Sequence, residues 1–229
     1  MLHPFLVEQL SKKVRIAPLH IIREYMEMEV LYSLSQIPLS DRIIFYGGTA
    51  LRLAYNSFRF SEDLDFLYTK IQKEDKEMLA RVLETVIENN AGVSVEEVHE
   101  KRNTLFGLLH IAHPLLKHAI RLKLEIAKRQ NGIKAENMLL MSQASTLQPI
   151  MKTASLNSLQ QNKLVAIQDR NEARDWFDLW YINQKLGLSA KPNKQFPFNN
   201  KEFTNELKRF ITANYWKIIP NVISYYAQK

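Results

Sequence analysis

The stretch Ile43-Ile44-Phe45-Tyr46-Gly47-Gly48-Thr49-Ala50-Leu51-Arg52-Leu53-Ala54-Tyr55 leaves the chain few ways to fold. An apolar run ends in a Gly-Gly turn, an Ala/Leu-rich amphipathic segment follows, and a second apolar run carries Asp63 and Asp65. The pattern predicts a strand over 42–46, a helix over 49–55 and a strand over 64–68. Residues two apart on a strand point to the same face, so Asp63 and Asp65 share one while Leu64 and Phe66 turn inward. Two carboxylates that close raise each other's pKa unless a cation joins them. Their oxygens suit a hard ion such as Mg2+, which takes one or two protein carboxylates and leaves positions for substrate phosphates. Gly47 and Gly48 let the backbone approach a ligand and turn N–H groups onto a phosphate at a helix start. Taken singly, a Gly-Gly pair is an ordinary turn and an Asp-x-Asp pair an ordinary solvated strand face. Joined in one strand–turn–helix–strand unit, they form a phosphoryl-transfer layout.

A second segment, Asn162-Lys163-Leu164-Val165-Ala166-Ile167-Gln168-Asp169-Arg170 followed by Asn171-Glu172-Ala173-Arg174-Asp175-Trp176-Phe177-Asp178-Leu179, is equally informative. Leu164, Ile167, Phe177 and Leu179 supply a core stripe, which leaves Lys163, Arg170, Arg174, Asp175 and Asp178 to explain. A salt-bridged exposed helix would account for the charges. Arg170 and Arg174, however, form a like-charge i,i+4 pair that an isolated helix disfavours. The pair makes sense if both guanidinium groups face an anion or have carboxylate partners. In Arg121-Leu122-Lys123-Leu124-Glu125-Ile126, alternation puts Arg121, Lys123 and Glu125 on one face, which a half-buried strand explains without any function. Arg59, ahead of Ser61 and the Asp pair, is either a phosphate contact or a surface arginine beside carboxylates.

Gly47-Gly48-Thr49-Ala50-Leu51 together with Arg59-x-Ser61-x-Asp63-Leu64-Asp65-Phe66 resembles the first motif of the AbiEii/AbiGii-type nucleotidyltransferase toxins, a branch of the DNA polymerase β-like nucleotidyltransferase superfamily. The superfamily's usual start is Gly-Ser and, after a spacer, Asp-x-Asp or Asp-x-Glu. The Gly-Thr and long spacer of this chain resemble the toxin branch. Lys163-Leu164, Arg170 and Arg174-Asp175-x-x-Asp178-Leu179 are similar to the family's later motif, without a gap.

The resemblance implies a Mg2+-dependent nucleotidyltransferase. Asp63 and Asp65 would bind the metal, with Glu125 as the third carboxylate from a neighbouring strand. Gly47, Gly48 and Thr49 would cradle an NTP, with Lys163 on its other side and Arg59, Ser61, Arg170 and Arg174 completing the nucleotide site. Asp178 and Asp175 would orient the lysine, bind base or ribose, or assist deprotonation of the acceptor; the sequence leaves these roles open. The family further implies a bacterial type IV-like toxin that transfers NMP to RNA, such as a tRNA 3′ end, and is neutralised by a cognate antitoxin. Which NTP and which acceptor stay open. Transfer to a small molecule or protein is the nearest alternative. A metal-dependent nuclease would need no triphosphate cradle. A nucleic-acid-binding module with a degenerate site would not need the carboxylates and lysine that are all present here.

The remaining pattern predicts an α+β fold. Helices are expected over 18–37, ended by Pro38, and over 73–89; a run of strands follows over 93–98, 105–112 and 119–127, with a short one over 139–141. From about Thr153 only helices are expected, over 153–167, 170–185 and 201–215. The expected division is a polymerase β-like nucleotidyltransferase lobe with a mixed sheet over 1–150 and a helical lobe over 151–229 that completes the cleft. Trp176, Trp180 and Tyr181, at helical spacing, are expected in the core. Within 229 residues there is no cysteine, which excludes disulfides, zinc-thiolate sites and cysteine nucleophiles. No apolar run is long enough for a membrane span, and Met1–Glu8 lacks the basic start of a secretory signal, so a cytoplasmic protein with no membrane partner is expected. A formal charge of +7 and a pI near 9.4 favour polyanionic partners such as NTP and RNA. Lys191, Lys194, Lys201, Lys208 and Arg209 offer a basic surface towards the C-terminus, while His99, His110, His113 and His118 show no metal-ligand spacing.

Overall fold

Pro4 and Pro18 each open a helix, in the first turn where a missing N–H costs nothing. The computed structural model describes residues 1–101, 104–128 and 132–227. It begins with α1 (Pro4–Val14), whose Phe5 N–H is accepted by the His3 side chain, and α2 (Pro18–Ser35). A 3-10 turn over Pro38–Arg42 leads into β1 (Ile43–Tyr46), α3 (Gly47–Tyr55), β2 (Asp63–Tyr68) and α4 (Asp75–Asn89). Five strands follow: β3 (Val93–Lys101), β4 (Thr104–Ile111), β5 (Ile120–Lys128), β6 (Ala135–Leu139) and β7 (Ile150–Ala154). The chain closes with α5 (Leu156–Asp169), α6 (Ala173–Leu186), α7 (Asn200–Lys208), a 3-10 turn over Ala213–Ile218 and α8 (Ile219–Ala227).

All seven strands form one mixed sheet in the order β3-β4-β5-β2-β1-β7-β6. β2 runs parallel to β5 and β1 parallel to β7, while the other neighbours are antiparallel. The central strands are buried on both faces, and alternation sorts their side chains between two cores. Phe45, Leu64, Phe66, Leu122, Leu124 and Ile126 pack under α1, α2 and α4. Ile44 and Leu67 point the other way, into a core supplied by α5 to α8, including Trp176, Phe177, Trp180 and Tyr181. The α+β class with a mixed sheet is therefore the one expected.

The differences lie at the boundaries. Residues 150–154 are a strand, not the start of a helix, because Thr153 pairs with Phe45 of β1 and Ser155 then caps α5 by accepting the Ser158 N–H. The short strand expected over 139–141 is β6, placed further back by its pairing with β7. The helix expected over 201–215 stops at Lys208, and Ile211 instead bridges Arg59 in an antiparallel contact. Arg170 is extended (φ −145°, ψ 163°), so the helix expected over 170–185 begins at Ala173. α1 and α8 went unpredicted.

Candidate active site

Register in the sheet builds one wall of the site. The parallel pairing of β2 and β5 sets Asp63 beside Lys123 and Asp65 beside Glu125. Matched residues on neighbouring strands share a face, so all four project together, with Leu67, towards α5 and α6. The Lys123 ammonium contacts both sides, 3.5 Å from Asp63 Oδ2 and 3.5 Å from Glu125 Oε2. Burial, and next the Asp63 charge, push the Asp65 carboxyl up to about 6, although Lys123 and Lys163 pull against the rise. Such a site is short of positive charge. Among the described residues, no three His, Asp or Glu side chains form a ready-made metal cage. Two hard carboxylates in an open cleft nevertheless meet what Mg2+ asks of a protein that leaves the remaining positions to phosphate and water.

The Gly-Gly turn is tied to this wall by contact. Gly47 has φ +82°, and a Cβ there would lie 2.6 Å from Asp65 Oδ2. At Gly48 a Cβ would meet Arg59 Nη2 at 2.3 Å and Ser61 Oγ at 2.7 Å. Gly48 thus makes room for a guanidinium. The N-terminus of α3 has no side-chain cap, so its first N–H groups remain available to an anion. Thr49 sits differently from the expected cradle: its side chain is fully buried and donates to the Asp63 carbonyl at 2.5 Å, fastening α3 to β2. Gly48→Ala is expected to displace Arg59 and cost about 1–3 kcal/mol of stability. Chemical denaturation would measure it, and a loss below about 0.5 kcal/mol would show that Arg59 relaxes freely.

The opposite wall is a chain of charges on α5 and α6. Arg59 is buried and donates twice to Asp178, Nε to Oδ1 at 2.6 Å and Nη2 to Oδ2 at 2.7 Å. Lys163 Nζ lies 2.7 Å from Asp178 Oδ2 and 2.8 Å from Asp175 Oδ1. Arg170 closes the chain on Asp175 at 2.7 Å and 3.1 Å. Burial alone would raise both aspartates; Lys163 and Arg170 hold Asp175, and Arg59 and Lys163 hold Asp178, below the ordinary carboxylate range. Lys163 is only 8% exposed. Its two carboxylate partners explain why burial is tolerated. Arg174 lies 3.6 Å from Glu62 and 3.6 Å from Glu172. The like-charge helical pair does not exist, since Arg170 stands in the break between helices and both arginines have carboxylate partners.

Between the walls lies a cleft of about 430 Å³. Of the predicted residues, Gly47, Gly48, Arg59, Ser61, Asp63, Asp65, Glu125, Lys163, Arg170, Arg174 and Asp175 border it; Thr49 and Asp178 stand behind it. Sequence reasoning passed over Lys123, Tyr46, Asn162 and Asp169, which also border it. Lys123 carried a usable signal, being two residues before Glu125 on the same strand face. The C-terminal lysines lie elsewhere: Lys194 Nζ caps the end of α5, donating to the Ile167 carbonyl at 2.8 Å.

Among the described residues, no helix is long and apolar enough to cross a membrane. No curated protein sequence matches the chain. The fold is similar to that of MenT4, a nucleotidyltransferase toxin from Mycobacterium tuberculosis, with a TM-score of 0.62 and 18% identity over 99% of this chain and 89% of that one. It is also similar to JHP933 from Helicobacter pylori, with a TM-score of 0.56 and 25% identity over 92% of this chain and 80% of that one. The sequence profile described as nucleotidyl transferase AbiEii toxin, type IV TA system, matches residues 29–214. That span holds both walls of the cleft, and the chain belongs to the AbiEii family of nucleotidyltransferase toxins.

Proposed function

We propose that the protein transfers NMP from an NTP to RNA, such as a tRNA 3′ end, in a Mg2+-dependent reaction, and that a cognate antitoxin neutralises it. One observation carries this reading: Asp63 and Asp65 face Lys163, Arg170 and Arg174 across a single cleft. Carboxylates on one wall suit a divalent cation, and cations on the other suit a triphosphate. Asp63 and Asp65 would hold Mg2+, which when bound neutralises charge on the transferred group. The uncapped N–H groups at Gly47 and Gly48 and the dipole of α3 favour a phosphate there. Lys163, held in place by Asp175 and Asp178, offers an ammonium group to the triphosphate. Arg170 and Arg174, nearer the rim, suit the departing pyrophosphate. An acceptor hydroxyl loses its proton to water and attacks the α-phosphorus, the bond to the bridging oxygen breaks, and pyrophosphate leaves with that electron pair.

The test is incubation with Mg2+, each α-32P-labelled NTP in turn and total bacterial RNA, followed by a denaturing gel. Label at tRNA size that requires Asp65 is the expected result. Unlabelled, intact RNA would move the acceptor to a protein or small molecule, and shortened RNA would indicate a nuclease.

Two further results are expected at the same wall. The reaction needs Asp65 ionised, so kcat/KM should climb with pH through about 6. A profile flat from about pH 5 to 8 would remove Asp65 from the essential ionisations. Lys123→Met removes the ammonium shared by Asp63 and Glu125, and should tighten Mn2+ binding about tenfold in calorimetry. Unchanged affinity would mean that Lys123 does not compete for these carboxylates.

A further inference from the structure

A second opening, of about 540 Å³, lies at the other end of α3, where Lys13, Arg52, Asn56, Phe58, Gln143 and Tyr215 are among its borders. Its most distinctive feature is aromatic. The Phe58 and Tyr215 rings stack with centroids 4.4 Å apart and planes 13° from parallel. Phe58 is backed by Phe177 and Tyr181, whereas Tyr215 is 46% exposed. Trp216, next in sequence, is 38% exposed.

Lys13 borders this opening and Lys208 stands by Trp216, and further cations lie on the same chain segments, although Arg209 borders a separate opening with Glu62, Glu172 and Glu206. Lys12, Lys13 and Arg15 end α1, Lys208 and Arg209 end α7, and Lys217 lies in the 3-10 turn between α7 and α8. All six are exposed. The Ala213 N–H donates to the Arg15 carbonyl at 3.1 Å, which fixes the two parts side by side. The Lys208 ammonium stands 4.7 Å over the Trp216 ring. Among the described residues, none of the six enters an ion pair, unlike the cations of the catalytic cleft.

We infer that this surface binds a single-stranded segment of the acceptor RNA, an inference that rests on the RNA-acceptor reading above. Phosphates meet the unpaired cations, and the open ring of Tyr215 takes an unstacked base. A duplex would not fit this chemistry, because its bases are already stacked on one another. Position supports the assignment. Ser57 and Phe58 border this opening while Arg59 and Ser61 border the catalytic cleft, so one short segment separates the two.

The experiment is fluorescence anisotropy with an unstructured, 5′-labelled oligoribonucleotide of about twelve nucleotides, titrated at several salt concentrations. Lys12→Gln/Lys13→Gln/Lys217→Gln should weaken binding at least about tenfold and reduce the slope of log K against log salt by about 2. Tyr215→Ala should weaken binding about tenfold and leave the slope unchanged. In both variants the thermal stabilisation given by NTP with Mg2+ should equal that of the wild type, which shows that the fold and catalytic cleft are intact. Wild-type binding that neither variant alters would overturn the surface while leaving the RNA reading in place. Absence of wild-type binding would overturn the RNA reading, and the surface with it. Variants that bind RNA normally but escape neutralisation by the antitoxin would make this a protein-docking face instead, against the inference.

Discussion

Asp65→Asn is expected to abolish transfer while making the metal-free protein more stable. The catalytic loss should be about 1,000-fold or more, because the substitution removes one of two carboxylates available to the metal and the metal's charge stabilisation is worth several kcal/mol. The gain in stability follows from the raised pKa. With the carboxyl at about 6 against an ordinary 3.8, the native state binds its proton more tightly than the unfolded chain does. Stability is then lost as pH rises between those values and stays lost above them. Asparagine carries no charge to desolvate, so the variant should exceed the wild type by about 3 kcal/mol at about pH 8 and match it closely near pH 4. Thermal unfolding in EDTA at the two pH values measures this. A variant less stable than wild type at both would show that Asp65 is held by favourable contacts, against the reading of a site short of positive charge.

Arg59→Met should cost about 3–5 kcal/mol, the largest stability loss among these substitutions. Both ends of the Arg59–Asp178 pair are buried, and removing the guanidinium leaves Asp178 with Lys163 alone. The double variant Arg59→Met/Asp178→Leu should recover much of the loss, because no buried charge is then left uncompensated at that point and Lys163 retains Asp175. Urea denaturation of the four proteins in the cycle gives the coupling. Additive losses would mean that the pair acts independently and that something other than the stranded aspartate destabilises the single variant. Lys163 belongs to the same chain of charges. Its removal would disturb two buried aspartates at once, so a Lys163 variant tests folding together with NTP use.

These two results mark where sequence reading reached and where it stopped. The Asp pair was legible because strand periodicity is local: once Leu64 and Phe66 are core, Asp63 and Asp65 have one face left to them. Class was legible for the same reason, since several strands follow one another in a run, β3 to β7. Arg59 was not legible. A phosphate contact and a surface arginine were the two readings open to it; it is buried, borders the cleft and spans to Asp178, 119 positions along the chain, and its passage is what crowds Gly48. Likewise the end of the 150–154 strand, from Thr153, was read as the start of a helix, because its pairing with β1 depends on residues a hundred positions away rather than on its own composition.

The sequence by itself determined that a carboxylate pair on one strand face comes first and a cluster of cations and carboxylates later, in that order along the chain. Local periods of two and 3.6 residues impose that much, because each neighbour constrains the next through the backbone. Only the tertiary structure decided that Lys123 sits between Asp63 and Glu125, that Lys163 is clasped rather than free, and that Phe58 and Tyr215, from distant parts of the chain, stack on one another. Those are contacts between distant segments, and their energies depend on register, burial and charge compensation, which exist only once the sheet has formed.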